Sequence, residues 1–115
     1  MNRNIQKIVN WNFSKLKGIS MAEVPVKFPN NYKTITVPHT WYLDDDYYRG
    51  VAVYETTISC LPNWNAYLEF QGADQWCKVY INQMFAGEHK GGYSTFRIPI
   101  KKDFIQNNKI TIQVY

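Results

Sequence analysis

Short stretches of two-residue alternation, cut apart by Gly, Pro and Asn, dominate this chain and point to a sheet protein. From Val51 to Ile58, Ala52, Tyr54, Thr56 and Ile58 fall on one side of an extended backbone and Val53, Glu55 and Thr57 on the other, the pattern of a half-buried strand. Leu68 and Phe70 alternate with Tyr67 and Glu69 in the same way. Further on, Val79 and Ile81 alternate with Lys78 and Tyr80, and Phe96, Ile98 and Ile100 with Arg97 and Pro99. Ile110, Ile112 and Val114 alternate with Thr111 and Gln113. Thr34-Ile35-Thr36-Val37, ended by Pro38, is another candidate strand, and Asn10-Trp11-Asn12-Phe13 reads as an opening strand with its aromatics inward. A helical turn is expected only between Lys102 and Gln106.

Turns are expected at Asn30-Asn31, Leu61 to Asn65, Asn82-Gln83, Gly91-Gly92 and Asn107-Asn108, a spacing that suits a sandwich or barrel and not alternating strands and helices. Lys15 to Phe28 and Trp41 to Arg49 do not alternate cleanly and are expected to be long loops. With 115 residues and no internal repeat or linker, residues 1–115 form one domain's worth of chain, enough for a single core. Four Trp and nine Tyr suit either an aromatic sandwich core or a carbohydrate-facing surface. Trp76, beside Cys77 in an apolar run, reads as core, whereas Trp64, between two Asn, reads as exposed.

The formal charge of +4 comes from scattered lysines, with only Lys101-Lys102 adjacent, which argues against a nucleic-acid partner. Apolar runs fall short of both signal-peptide and membrane-span length, so no membrane partner is expected and a cytoplasmic location is favoured. Cys60 and Cys77 fit no metal or redox spacing and are expected to be free, buried thiols.

Hydrolytic chemistry often uses a pair of carboxyl groups as acid and base, and the nine acids offer no visible pair. Glu55 and Glu69 alternate toward solvent, Glu23 and Asp103 lie in weakly patterned segments, and Asp74 and Glu88 flank turns. Asp44-Asp45-Asp46 lacks the alternate ligands and central Gly of a calcium loop, and His39 and His89 have no zinc-binding partners in sequence; neither metal nor cofactor is expected. His39-Thr40-Trp41, after the strand-ending Pro38, combines a ring donor, a hydroxyl and a flat indole, the groups that recognise sugar hydroxyls and stack on C–H faces. Arg49, between aromatics and Gly50, is a further candidate, although such an arginine also stacks structurally.

Three blocks in order, Pro38-His39-Thr40-Trp41, Tyr47-Tyr48-Arg49-Gly50 and Gly87-Glu88-His89-Lys90-Gly91-Gly92-Tyr93-Ser94-Thr95-Phe96, resemble the N-terminal sugar-binding domain of glycoside hydrolase family 2, the β-galactosidase and β-glucuronidase family. The resemblance covers nearly the whole chain. It implies an all-β, antiparallel, jelly-roll β-sandwich of the galactose-binding-domain type, taken from the N-terminus of a longer multidomain hydrolase of terminal β-linked sugars.

By the same resemblance both catalytic acids belong to a β/α-barrel domain beyond Tyr115, so this chain carries no catalytic residue and should be inactive alone. Its partners would be that barrel and, through the parent enzyme, a β-galactoside-like carbohydrate, with His39, Thr40, Trp41 and Arg49 near the substrate. Two departures from the family pattern stand out: Thr40 where an acid is common, and Gln83 where Gly usually follows the hairpin Asn. Left-handed backbone at Gln83 would cost roughly 1 kcal/mol.

Two other readings remain open. An autonomous carbohydrate-binding module would use Trp64 as its stacking platform, and a structural interaction domain would pair an unfinished sheet edge with another copy as a homo-oligomer. The chain stops within or just after the strand that ends at Val114, which favours a fragment of a longer protein.

Overall fold

A computed structural model describes residues 7–36, 51–61, 66–70, 76–90 and 95–115. In chain order the strands are β1 (Asn10–Leu16), β2 (Lys33–Thr36), β3 (Val51–Ser59), β4 (Tyr67–Phe70), β5 (Trp76–Ile81), β6 (Met84–Lys90), β7 (Phe96–Pro99) and β8 (Lys109–Val114). Six of them form one sheet in the order β2-β1-β3-β8-β5-β6, and β4 pairs with β7 in a second sheet of two. Each described pairing is antiparallel.

The sandwich interior follows from the alternation. Val79, Ile81, Ile110 and Ile112 point from the middle of the large sheet toward Leu68 and Ile98 of the small one, with Cys60 and Phe104 filling between them. β-branched side chains suit this pleated surface, and burial of each contributes on the order of 2 kcal/mol. Of the largest fully buried side chains among the described residues, Phe13 is aromatic and Ile81, Ile110, Ile112, Val53 and Val79 are aliphatic, so this core is mainly aliphatic, although composition suited an aromatic core as well as a carbohydrate-facing surface. Larger rings sit at its margins, where Phe96 stacks on both Phe70 and His89. At Gly87 a Cβ would lie 2.9 Å from Ile98 Cδ1, and the bare backbone there lets β7 close on β6.

One end of the large sheet is buried on its other face too. The chain between β1 and β2 folds back so that Val24, with Ile19, Met21, Val26 and Phe28, covers Leu16, Val51, Val53, Tyr80 and Tyr115. Val51, Ala52 and Val53 are therefore all buried, which corrects the half-buried reading of β3 for its first turn of pleat. The expected loop from Lys15 also begins later, because Lys15 and Leu16 complete β1. Side chains of the sheet satisfy the irregular backbone above them: Tyr80 Oη donates to Val24 O (3.2 Å), Lys78 Nζ to Met21 O (3.0 Å), and Tyr115 Oη both accepts from Val26 N and bonds Val26 O. A single 3₁₀ turn at Met21–Glu23, missed in the sequence, is closed by the Glu23 carboxylate on Ser20 N–H. The turn expected near Lys102 is present at Lys102–Phe104.

Both tight asparagine turns form. Asn82 and Gln83 have φ of 48° and 70°, and Asn107 and Asn108 have 54° and 58°, the left-handed pairs that match strand twist in a two-residue hairpin. The β5–β6 hairpin thus closes despite Gln83. Gln83→Gly is expected to raise the urea midpoint by an amount equivalent to about 0.5–1 kcal/mol, the relieved strain less the added freedom of the unfolded chain. β6 escaped the sequence reading because a bulge shifts its register between Val79 and Tyr80, breaking the alternation around Ala86. Val37, the loop Trp41–Arg49 and the Gly91-Gly92 turn lie outside the described residues, as does most of the turn from Leu61 to Asn65.

Candidate functional site

His39, Thr40, Trp41, Arg49 and Trp64 all lie outside the described residues, as do Asp44-Asp45-Asp46 and Asp74. Their anchors are described. Thr36 sits opposite Asn10 and Val51 opposite Leu16, so residues 37–50 attach at opposite ends of β1.

Glu23, Glu55, Glu69 and Glu88 are each tied into the fold by a hydrogen bond. Glu23 caps its own turn. Glu69 on β4 accepts from Arg97 Nε on β7 at 2.9 Å, and this pair raises the already high Arg97 pKa. Glu88 lies within β6, not beside a turn as expected, and accepts from the indole N–H of Trp76. Trp76 itself is 39% exposed, which corrects its reading as core. It faces outward because Cys77, the next residue, takes the inward position, and Lys78 and Lys90 lie over its ring at 5.5 and 4.6 Å. These bonds hold the four acids at separate places in the fold, and none of the bonds sets two carboxyl groups across a shared cleft.

Cys60 and Cys77 are buried and form no disulfide, as expected, and burial raises the Cys60 thiol above its ordinary pKa and keeps it protonated near neutrality.

The described residues do form a groove of about 270 Å³ on the outer face of β2, β1 and β3, at the end left open by the covering segment. Register builds it from two polar rows. In the first, Thr34, Asn12, Glu55 and Gln113 stand side by side on four neighbouring strands. Thr34 Oγ1 donates to Asn12 Oδ1 at 3.1 Å, and Gln113 Nε2 donates to Glu55 Oε2 at 2.7 Å. In the second row Thr36 Oγ1 donates to Asn10 Oδ1 at 3.2 Å, and Thr57 bonds Thr111 at 2.9 Å.

Gln113 is only 7% exposed and is held in turn by Tyr115 Oη at 3.3 Å. A line of hydrogen bonds thus runs from the covering segment at Val26 through Tyr115 and Gln113 to Glu55. Burial pushes the Tyr115 phenol above its ordinary pKa, with Glu55 and Tyr80 adding to the rise against the lowering by the Val26 hydrogen bond; burial first, then Glu88, raises Tyr80. Folding therefore favours the neutral phenols. Their contribution to stability should be constant below about pH 10 and fall as pH rises through the higher folded values, because the unfolded chain ionises first. In a urea series at rising pH, Tyr115→Phe is expected to start lower at pH 7 by about 1–2 kcal/mol but to decline less steeply.

Comparison with known proteins sets these features in context. No family model matches the chain. It is 31% identical over 96 residues to a β-glucuronidase of Bacteroides fragilis, an alignment that covers 76% of this chain and 12% of that protein. It is 34% identical over 96 residues to a β-galactosidase of Thermoanaerobacter pseudethanolicus, covering 77% of this chain and 12% of the relative. Among solved structures, a Bacteroides uniformis β-glucuronidase superposes with a TM-score of 0.70 and 30% identity over 92% of this chain and 13% of its own. The chain spans about 12% of the length of the curated relatives it matches.

Proposed function

As the chain belongs to the β-sandwich domains of the family 2 glycoside hydrolases, we propose that it serves as an accessory domain in an enzyme that hydrolyses a terminal β-linked sugar. The observation that supports this most is the superposition of 92% of the chain on only 13% of a much longer β-glucuronidase. The role is mechanical and positional. A six-stranded sheet with one end buried on both faces is a stiff plate on which loops can be aimed. On this reading a barrel domain supplies the general acid and the nucleophile, and His39, Thr40, Trp41 and Arg49 contribute to the rim where the sugar enters.

The division of labour accounts for the acids described above. Each serves a strand pair, a turn or an indole, and retaining hydrolysis needs two carboxyl groups about 5 Å apart and free to exchange a proton with substrate. Thr40 offers a hydroxyl in place of a charged acceptor, so Trp41 and Arg49 would carry more of any contact with the sugar.

The test is a chimera in which this chain replaces the corresponding segment of the Bacteroides uniformis β-glucuronidase. A folded chimera should hydrolyse an aryl β-glycoside, and Trp41→Ala or Arg49→Ala within it should raise KM about tenfold with a smaller change in kcat, the pattern of lost binding. Turnover by the isolated chain, or a folded chimera that is inert, would overturn the proposal.

A further inference from the structure

We infer that the groove over β2, β1 and β3 is a second carbohydrate site, one that takes a vicinal diol of a single neutral pyranose between Asn12 and Glu55. The inference goes beyond the accessory role and uses none of the proposed rim residues. Asn12 and Glu55 are direct neighbours across the β1–β3 ladder, so their Cβ atoms stand about 5 Å apart on the same face. Thr34 occupies Asn12 Oδ1, which turns the amide so that its Nδ2 donors remain for an incoming group. Gln113 occupies one oxygen of Glu55 and leaves the other as an acceptor. A donor beside an acceptor is what two adjacent hydroxyls need: one accepts from Nδ2 while its neighbour donates to the carboxylate.

The site is held ready before ligand arrives. Glu55 is fixed by Gln113, Gln113 is buried and accepts from the Tyr115 hydroxyl, and Tyr115 Oη accepts in turn from Val26 N–H of the covering segment. Such support lowers the ordering cost of binding. The volume of about 270 Å³ lies at the small end of ligand sites, which suits one sugar ring and not an oligosaccharide.

Other ligand classes fit worse. One carboxylate cannot cage a divalent cation, which takes six or more oxygen ligands when it is calcium. The same carboxylate repels anions. Apart from Trp11 the lining of Asn10, Asn12, Thr34, Glu55, Thr56 and Thr57 is polar, too little apolar surface for a lipid or a hydrophobic peptide. The repulsion also sets a specificity: a uronate should bind this groove more weakly than the uncharged hexose.

The experiment is a ¹⁵N amide titration of the chain with methyl β-D-galactopyranoside and, separately, with methyl β-D-glucopyranosiduronate at pH 7. Saturable shifts centred on Asn12, Thr34, Glu55 and Thr57, with a Kd in the millimolar range and the neutral sugar favoured, are expected. Asn12→Asp turns the donor into an acceptor while leaving an oxygen for Thr34, and Glu55→Gln preserves shape; each should weaken the neutral sugar at least about tenfold. Glu55→Gln should also erase the preference against the uronate. Absence of saturation, shifts centred on other strands, equal binding of both sugars, or unchanged affinity in two variants with native-like dispersion would each overturn the assignment. None of these results bears on the chimera, which reads hydrolysis.

Discussion

Ile112→Ala is expected to lower the stability of this domain by about 2–5 kcal/mol, read as a fall in the urea midpoint at unchanged slope. Ile112 is fully buried on β8 and stands opposite Thr56 of β3 on one side and Ile81 of β5 on the other. Truncation removes about three methylene-sized groups from the middle of the sandwich, where strands fixed by hydrogen bonds on both flanks leave little room to collapse into the space. Domains of this size are stable by only about 5–15 kcal/mol, so one such change consumes a large share. Thr111→Ala, on the other face of the same strand, should cost under about 1 kcal/mol. Equal effects at the two positions would mean that the sandwich interior has been placed on the wrong face of β8.

Asn82→Ala is the second large effect, about 2–4 kcal/mol. Asn82 is a joint as well as a turn residue. Its side-chain Nδ2 donates to Phe104 O and to Lys109 O (3.1 Å), and its Oδ1 accepts from Thr111 N at 2.9 Å. These bonds tie the β5–β6 hairpin to the Lys102–Phe104 turn and to the start of β8. Alanine leaves the Thr111 N–H without its acceptor and must also hold φ near 48°, which Asn tolerates far better. Asn82→Asp keeps the acceptor and the backbone preference but loses both donors, so its melting point should fall between wild type and Asn82→Ala. If Asp and Ala prove equally damaging, the Thr111 bond contributes little.

Much of this architecture is legible in residue order because strands one pleat deep announce themselves by alternation: β4, β7 and β8 carry Leu68, Ile98, Ile110 and Ile112 inward as read. The misreadings share a cause, namely a second surface that alternation does not record. Val51 and Val53 are buried by a segment distant in sequence. The polar groove escaped for a related reason. Asn10, Asn12, Thr34, Glu55 and Thr57 look individually like an ordinary solvated face, and only the register of three strands gathers them. The rim residues His39, Thr40, Trp41 and Arg49 were legible by chemistry and family pattern, and their geometry lies outside the described residues.

β8 occupies the centre of the large sheet, between β3 and β5, although residues 109–114 follow every other described strand of that sheet in the chain. Until the ribosome releases them, β2-β1-β3 and β5-β6 are two separate half-sheets, each with a bare inner edge of unpaired N–H and C=O groups. Native assembly therefore waits on one strand acting as a keystone, and the nascent chain is most vulnerable to self-association in the interval just before it arrives.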